Sequence, residues 1–129
     1  MKSDLTDRKT LPGRTGDSRD GEGERAHYLV VVEGDKMGDR IRLGPAAVVI
    51  GRKEPADWLL ADPRVSRSHC RVWLQLNDVI VSDLGSTNGT YIDGKPVFGQ
   101  MTLPTGSKLE VGSHILEHEW RVRKDVEES

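Results

Sequence analysis

The sequence predicts an all-β fold, an antiparallel sandwich or barrel, on three observations. Apolar residues alternate with polar ones in short runs. Gly, Asp, Asn or Pro closes each run, so that turn signals recur about every 8–12 residues. Pro45, Pro55, Pro63, Pro96 and Pro104 cut the chain too often for long helices, and apolar residues nowhere keep helical spacing.

The elements follow in order. His27–Val32 is an apolar, β-branched run, and in Arg40–Leu43 residues Ile41 and Leu43 share a face. Ala46–Ile50 reads as a short buried run closed by Gly51, and Trp58–Ala61 is brief. His69–Leu76 alternates, with Cys70, Val72, Leu74 and Leu76 on one side and Arg71, Trp73 and Gln75 on the other. Val79–Val81, Thr90–Ile92, Leu109–Val111 and Ile115–Val122 complete the set. Asn88-Gly89 and Asp93-Gly94 accept positive φ and so bracket Thr90–Ile92 with tight turns. Asn77-Asp78 is the expected hairpin closure after the His69 run.

Residues 1–26 differ from the rest. They hold four apolar, six basic and six acidic residues and four glycines. Such a segment buries too little apolar surface to offset its ordering entropy, which predicts a disordered tail. The domain is expected over 27–123, with 124–129 as a second tail or the start of a linker. The 129 residues suit one domain. A net charge of −2 points away from nucleic acid and anionic membranes as partners. No apolar run approaches the ~18 residues of a membrane span, and Met1–Arg14 has no apolar core of the secretory type. Cys70 is the one cysteine, so no intramolecular disulfide forms, and a cytoplasmic location is the expectation.

Three loops carry chemistry: Ile50–Glu54, Pro63–His69 and Asp83–Thr90. They supply Arg52, Arg64, Arg67, Ser66, Ser68, Thr87 and Asn88 besides several turn amides. Planar cations, hydroxyls and backbone N–H groups make an anion site, and a dianionic phosphoryl group with three acceptor oxygens suits it better than a carboxylate. Loops at one end of a sandwich converge.

Gly51-Arg52, then Ser66-Arg67-Ser68-His69, then Asp83–Gly94 with Asn88-Gly89-Thr90, resemble the forkhead-associated (FHA) domain family in order and spacing, from about residue 28 to 122. The resemblance implies an eleven-stranded sandwich of SMAD/FHA type that binds phosphothreonine peptides through loops at one end. It gives Arg52 and Ser66 to the phosphate, with Arg67 adding an N–H and Thr87 reaching from the facing loop. Asn88 would bond the main chain of the bound peptide. Gly51, His69 and Gly89 would be architectural, the histidine tying the second loop to the third. Threonine would be preferred over serine through a pocket for its methyl, worth ~0.8 kcal/mol if buried. Arg64, at the edge of the site, would favour an acidic residue three places after the phosphothreonine; Lys53 and Ser68 are secondary candidates for specificity.

The implied partner is a protein phosphorylated by a serine/threonine kinase, bound by a monomeric chain with neither cofactor nor metal. Catalysis is not expected. Cys70 shares a face with Val72 and Leu74 and reads as an inert thiol, and no strand-turn-helix elbow surrounds Ser66. His114 and His118, four apart on an expected strand, read as solvated histidines and not as metal ligands. Two other roles fit the sequence: an autoregulator that docks its own tail through phosphorylated Thr6, Thr10 or Thr15, and a scaffold that uses the Trp73 sheet face without phosphorylation.

Overall fold

The structure, a computed structural model, describes residues 24–122. Eleven strands fill it: β1 (Arg25–Glu33), β2 (Arg40–Arg42), β3 (Val48–Gly51), β4 (Trp58–Leu59), β5 (Cys70–Gln75), β6 (Asp78–Asp83), β7 (Thr90–Ile92), β8 (Lys95–Pro96), β9 (Gln100–Thr102), β10 (Lys108–Val111) and β11 (His114–Val122). The compact unit that carries the loops is His27–Glu119. The tail expected over 1–26 falls, for residues 1–23, outside the described residues, as do Thr6, Thr10, Thr15 and the stretch 124–129.

The strands form a sandwich. One sheet has the order β2-β1-β11-β10-β7-β8 and the other β4-β3-β5-β6-β9. Period-two alternation decides what goes inside. In β5, Cys70 and Val72 point into the core and Arg71 into solvent; Val79 and Val81 do the same on β6. Leu29, Val31, Ile92, Leu109, Val111 and Leu116 of the first sheet meet Ile50, Val72 and Val81 of the second in one core.

Several expectations are corrected. The second sheet is mixed, because β4 runs parallel to β3. Its direction is set by Asp57, whose N–H donates to the Val49 carbonyl at 2.8 Å and whose carboxylate accepts from the Val49 N–H at 2.9 Å. The connection from β3 therefore returns to the start of that strand before β4 begins. Ala46 and Ala47 are exposed, and β3 starts only at Val48. Leu76 leaves the core face altogether. Gln75 pairs with Asp78, so Leu76-Asn77 is the hairpin loop, and Leu76 sits there at φ 59°, 95% exposed. Asp93-Gly94 does make the expected turn, with Ile92 paired to Lys95 and both loop residues at positive φ.

His114 and His118 are not solvated. Alternation along β11 turns them inward with Leu116, and each is 2% exposed. His118 Nδ1 donates to the Leu103 carbonyl at 2.7 Å, and its Nε2 lies 2.8 Å from Nδ1 of His27. Burial holds the His118 imidazole below its ordinary pKa. Trp73 lies on the outer face, partly covered: the Arg71 guanidinium stacks 5.1 Å from its ring, and its indole N–H reaches Gln75 at 3.4 Å.

Antiparallel register brings the chemical loops to one end. Ile50 pairs with Cys70 and Cys70 with Asp83 in the second sheet; Thr90 pairs with Val111 and Val111 with His114 in the first. The segments 52–57, 60–69, 84–89 and 112–113 all leave from these positions.

Candidate functional site

The second loop is pressed against the end of β3. Arg52 N–H donates to the Ser66 carbonyl at 3.0 Å, and His69 N–H to the Ile50 carbonyl at 2.8 Å. Gly51 lies between the two bonds. A Cβ there would stand 1.8 Å from the Arg67 carbonyl oxygen, so only glycine lets the loop come this close. Within the loop Val65 is fully buried, and such an anchor contributes about 1.5–3 kcal/mol.

His69 and Ser66 join the second loop to the third. Ser66 N–H donates to His69 Nδ1 at 3.0 Å, which leaves the ring proton on Nε2 to donate to the Gly89 carbonyl at 2.9 Å. Ser66 Oγ accepts the Thr87 N–H at 3.0 Å and keeps its own hydrogen for another acceptor. Asn88 Nδ2 donates to the Arg64 carbonyl at 2.9 Å, leaving Oδ1 and a second N–H outward.

Asp83 holds the third loop shut. Its carboxylate accepts from the Ser86 and Thr90 hydroxyls, both at 2.6 Å, and from the Gly85 and Ser86 amides at 2.9 and 3.0 Å. Burial alone would raise its pKa; these bonds outweigh it and hold the carboxyl below its ordinary value. Asp62 behaves alike. Burial is again outweighed, here by the Ser113 hydroxyl and the Arg64 and Ser113 amides, and the carboxyl is strongly lowered. Beneath the site, burial, with the Asp83 charge second, pushes the Cys70 thiol up to about 12.

Arg52, Pro63, Arg64, Val65, Ser66, Arg67, Thr87 and Asn88 line one open depression of about 270 Å³. The five residues expected to contact ligand, Arg52, Ser66, Arg67, Thr87 and Asn88, are thus neighbours, and Arg64 stands with them. Lys53 and Ser68 are not among the lining residues. Among the described residues none of the three guanidiniums makes a salt bridge, so their charge is offered to solvent. An adjoining depression, lined by Arg64, Asn88, Gly89, Tyr91, Glu110 and Gly112, brings in residues that loop reading missed. Tyr91 and Glu110 face each other across β7 and β10, a register that no local motif reveals. Asp62 and Ser86 were also missed. The signal for Ser86 was present in Asp83-Leu84-Gly85-Ser86, since Asp bonds backbone amides two and three residues on.

The sequence profile of the FHA domain matches residues 48–112. The chain belongs to the FHA domain family. Its similarity to FhaB of Mycobacterium tuberculosis is 39% identity over 92 residues, covering 71% of this chain and 59% of FhaB. The chain thus spans about three-fifths of that relative. It is 33% identical over 107 residues to the oxoglutarate dehydrogenase inhibitor of Corynebacterium glutamicum, covering 83% of this chain and 73% of that one. A domain solved in a study of phosphothreonine-dependent FHA domain interactions superposes with a TM-score of 0.66 at 28% identity, over 73% of this chain and 95% of that one.

The two lowered carboxylates give this FHA domain an acid-sensitive end. Their native pKa values lie below the unfolded ones. The stability they contribute is therefore complete only above about pH 5, roughly one unit over the ordinary carboxylate value, and is lost as the pH falls through the lowered native values. Asp83→Asn should flatten the acid limb of thermal unfolding relative to wild type. Parallel limbs would show that Asp83 has no such share.

Proposed function

We propose that the chain is a non-catalytic module that binds proteins phosphorylated on threonine by a serine/threonine kinase. Arg52 engages the phosphate through its guanidinium, and Ser66 through its hydroxyl. Arg67 and Thr87 close the phosphate from either side, and Asn88 bonds the main chain of the bound peptide. The observation that carries this reading is the Ser66–Thr87 bond, which joins the cationic loop to the polar loop and leaves the Ser66 hydroxyl hydrogen beside Arg52 on one depression. Membership of the FHA family supports it, as does likeness to a domain studied for phosphothreonine-dependent interactions. A doubly charged phosphate gains several charge-assisted hydrogen bonds here that a bare hydroxyl does not. Micromolar affinity, about −8 kcal/mol, is expected. The module acts in the cytoplasm as a monomer and needs neither cofactor nor metal.

The test is calorimetry with one peptide, selected by the chain from a phosphothreonine library, in phosphothreonine, phosphoserine and unmodified forms. The phosphothreonine form should bind most tightly and the unmodified form should give no measurable heat. Equal binding of all three would overturn the reading. Arg64 adds a charge preference: with Asp three residues after the phosphothreonine, binding should be up to about fivefold tighter than with an aliphatic residue, as for an exposed ion pair. An array that shows no difference removes Arg64 from specificity.

A further inference from the structure

We infer that Asp62 is a positioning residue for peptide recognition: it fixes the backbone of Arg64, and through it the carboxamide of Asn88. The inference rests on the phosphothreonine reading and adds a residue that touches no ligand.

Asp62 is 7% exposed and lies under the second loop. Its Oδ1 accepts the Arg64 N–H at 2.9 Å. Its Oδ2 accepts the Ser113 N–H at 2.8 Å and the Ser113 hydroxyl. One carboxylate therefore ties the second loop to the turn between β10 and β11. There is no slack at this joint. A Cβ on Gly112 would stand 2.8 Å from Oδ2 and 2.7 Å from Val65 Cγ2. Arg64, anchored in this way through its N–H, presents its own carbonyl to Asn88 Nδ2 at 2.9 Å.

Arg64 and Asn88 occupy a particular place. They are the two residues shared by the depression that holds Arg52 and Ser66 and the adjoining one that holds Tyr91 and Glu110. A peptide whose phosphate lies in the first and whose following residues lie over the second must cross this pair. The groups proposed for phosphate are held otherwise: Arg52 by the Ser66 carbonyl, and Ser66 by His69 and Thr87. None of those bonds passes through Asp62, so Asp62 is assigned to reading the peptide and not to holding the anion.

Asp62→Asn keeps the size but turns one oxygen into a donor. That donor then faces the N–H of Arg64 or of Ser113, and a buried bond is lost. The experiment compares the wild-type chain, Asp62→Asn and Ser113→Ala. Two probes are used: the library-selected phosphothreonine peptide by calorimetry, and inorganic phosphate by NMR shifts of the Ser66 and Arg67 amides. Asp62→Asn should bind the peptide about tenfold more weakly, while the phosphate titration stays unchanged. Ser113→Ala, which removes one donor only and keeps the fold if Asp62→Asn does not, should show a smaller loss of the same kind. The Asn88 side-chain amide protons should exchange faster with solvent in Asp62→Asn without ligand. Unchanged peptide affinity, or equal weakening of peptide and phosphate, overturns the positioning role and leaves the functional reading intact. A wild-type chain that selects no phosphothreonine peptide overturns both.

Discussion

Gly51→Ala is expected to cost about 3 kcal/mol of stability or more and to abolish phosphopeptide binding together with it. The added methyl would meet the Arg67 carbonyl oxygen at 1.8 Å, its carbon at 2.7 Å and the Ala56 Cβ at 3.0 Å. Two of these are backbone atoms, which no rotamer change can move. Relief requires the second loop to lift from β3, and that breaks the Arg52–Ser66 and His69–Ile50 bonds. With them goes the frame of Ser66, because its amide and hydroxyl are bonded to His69 and to the third loop. The backbone dihedral is not the cause, since Gly51 is absent from the positive-φ glycines; the need is for space. Denaturant titration with linear extrapolation measures the stability. A variant as stable as wild type would mean that the loop stands further from β3 than described.

Arg52→Ala is the complementary case. Its backbone N–H bond to Ser66 survives the substitution, and among the described residues no hydrogen bond or salt bridge depends on its guanidinium. Stability should therefore change by less than about 0.5 kcal/mol, as for other surface positions. Binding should weaken by about 2 kcal/mol or more, roughly 30-fold, through loss of a charge-assisted contact to a dianion. Calorimetry with the library-selected phosphothreonine peptide decides it, and equal affinity for wild type and variant would remove Arg52 from the site. The pair of variants separates two duties of adjacent residues: Gly51 makes room for the loop, and Arg52 acts from it.

What could be read in the sequence was what depends on near neighbours. Alternation gave the inward face of β5 through Cys70 and Val72, the apolar runs Leu109–Val111 and Ile115–Val122 located β10 and β11, and Asp93-Gly94 gave its turn, because side-chain period and positive-φ tolerance are local properties. Strands β8 and β9 were missed. The first is a two-residue pair with a proline, both exposed, and the second has one apolar residue in three. The same rule of alternation would have turned His114 and His118 inward with Leu116. Polarity argued otherwise, but the partners that receive His118, Leu103 and His27, are distant in sequence. Leu76 failed in the opposite sense, an apolar residue spent on a hairpin loop. At the site, the loop residues were legible as an anion-binding set, and the family resemblance gave them roles. Asp62 was not, since its partner Ser113 lies 51 positions further along and their link belongs to no motif.

The margins of the two sheets have a consequence for how the domain is used. β4 and β8 are stubs of two residues, and β2 and β9 are three residues long. Lys95 and Pro96 form β8, and Arg40 and Arg42 are the two end residues of β2. Short, charged or proline-bearing borders give an extended segment too few free backbone groups to zip onto. A visitor therefore gains little from lengthening along a ladder and must be told apart by a few side chains at the loop tips. Borders of that kind also let neighbouring copies crowd together without stacking into fibres.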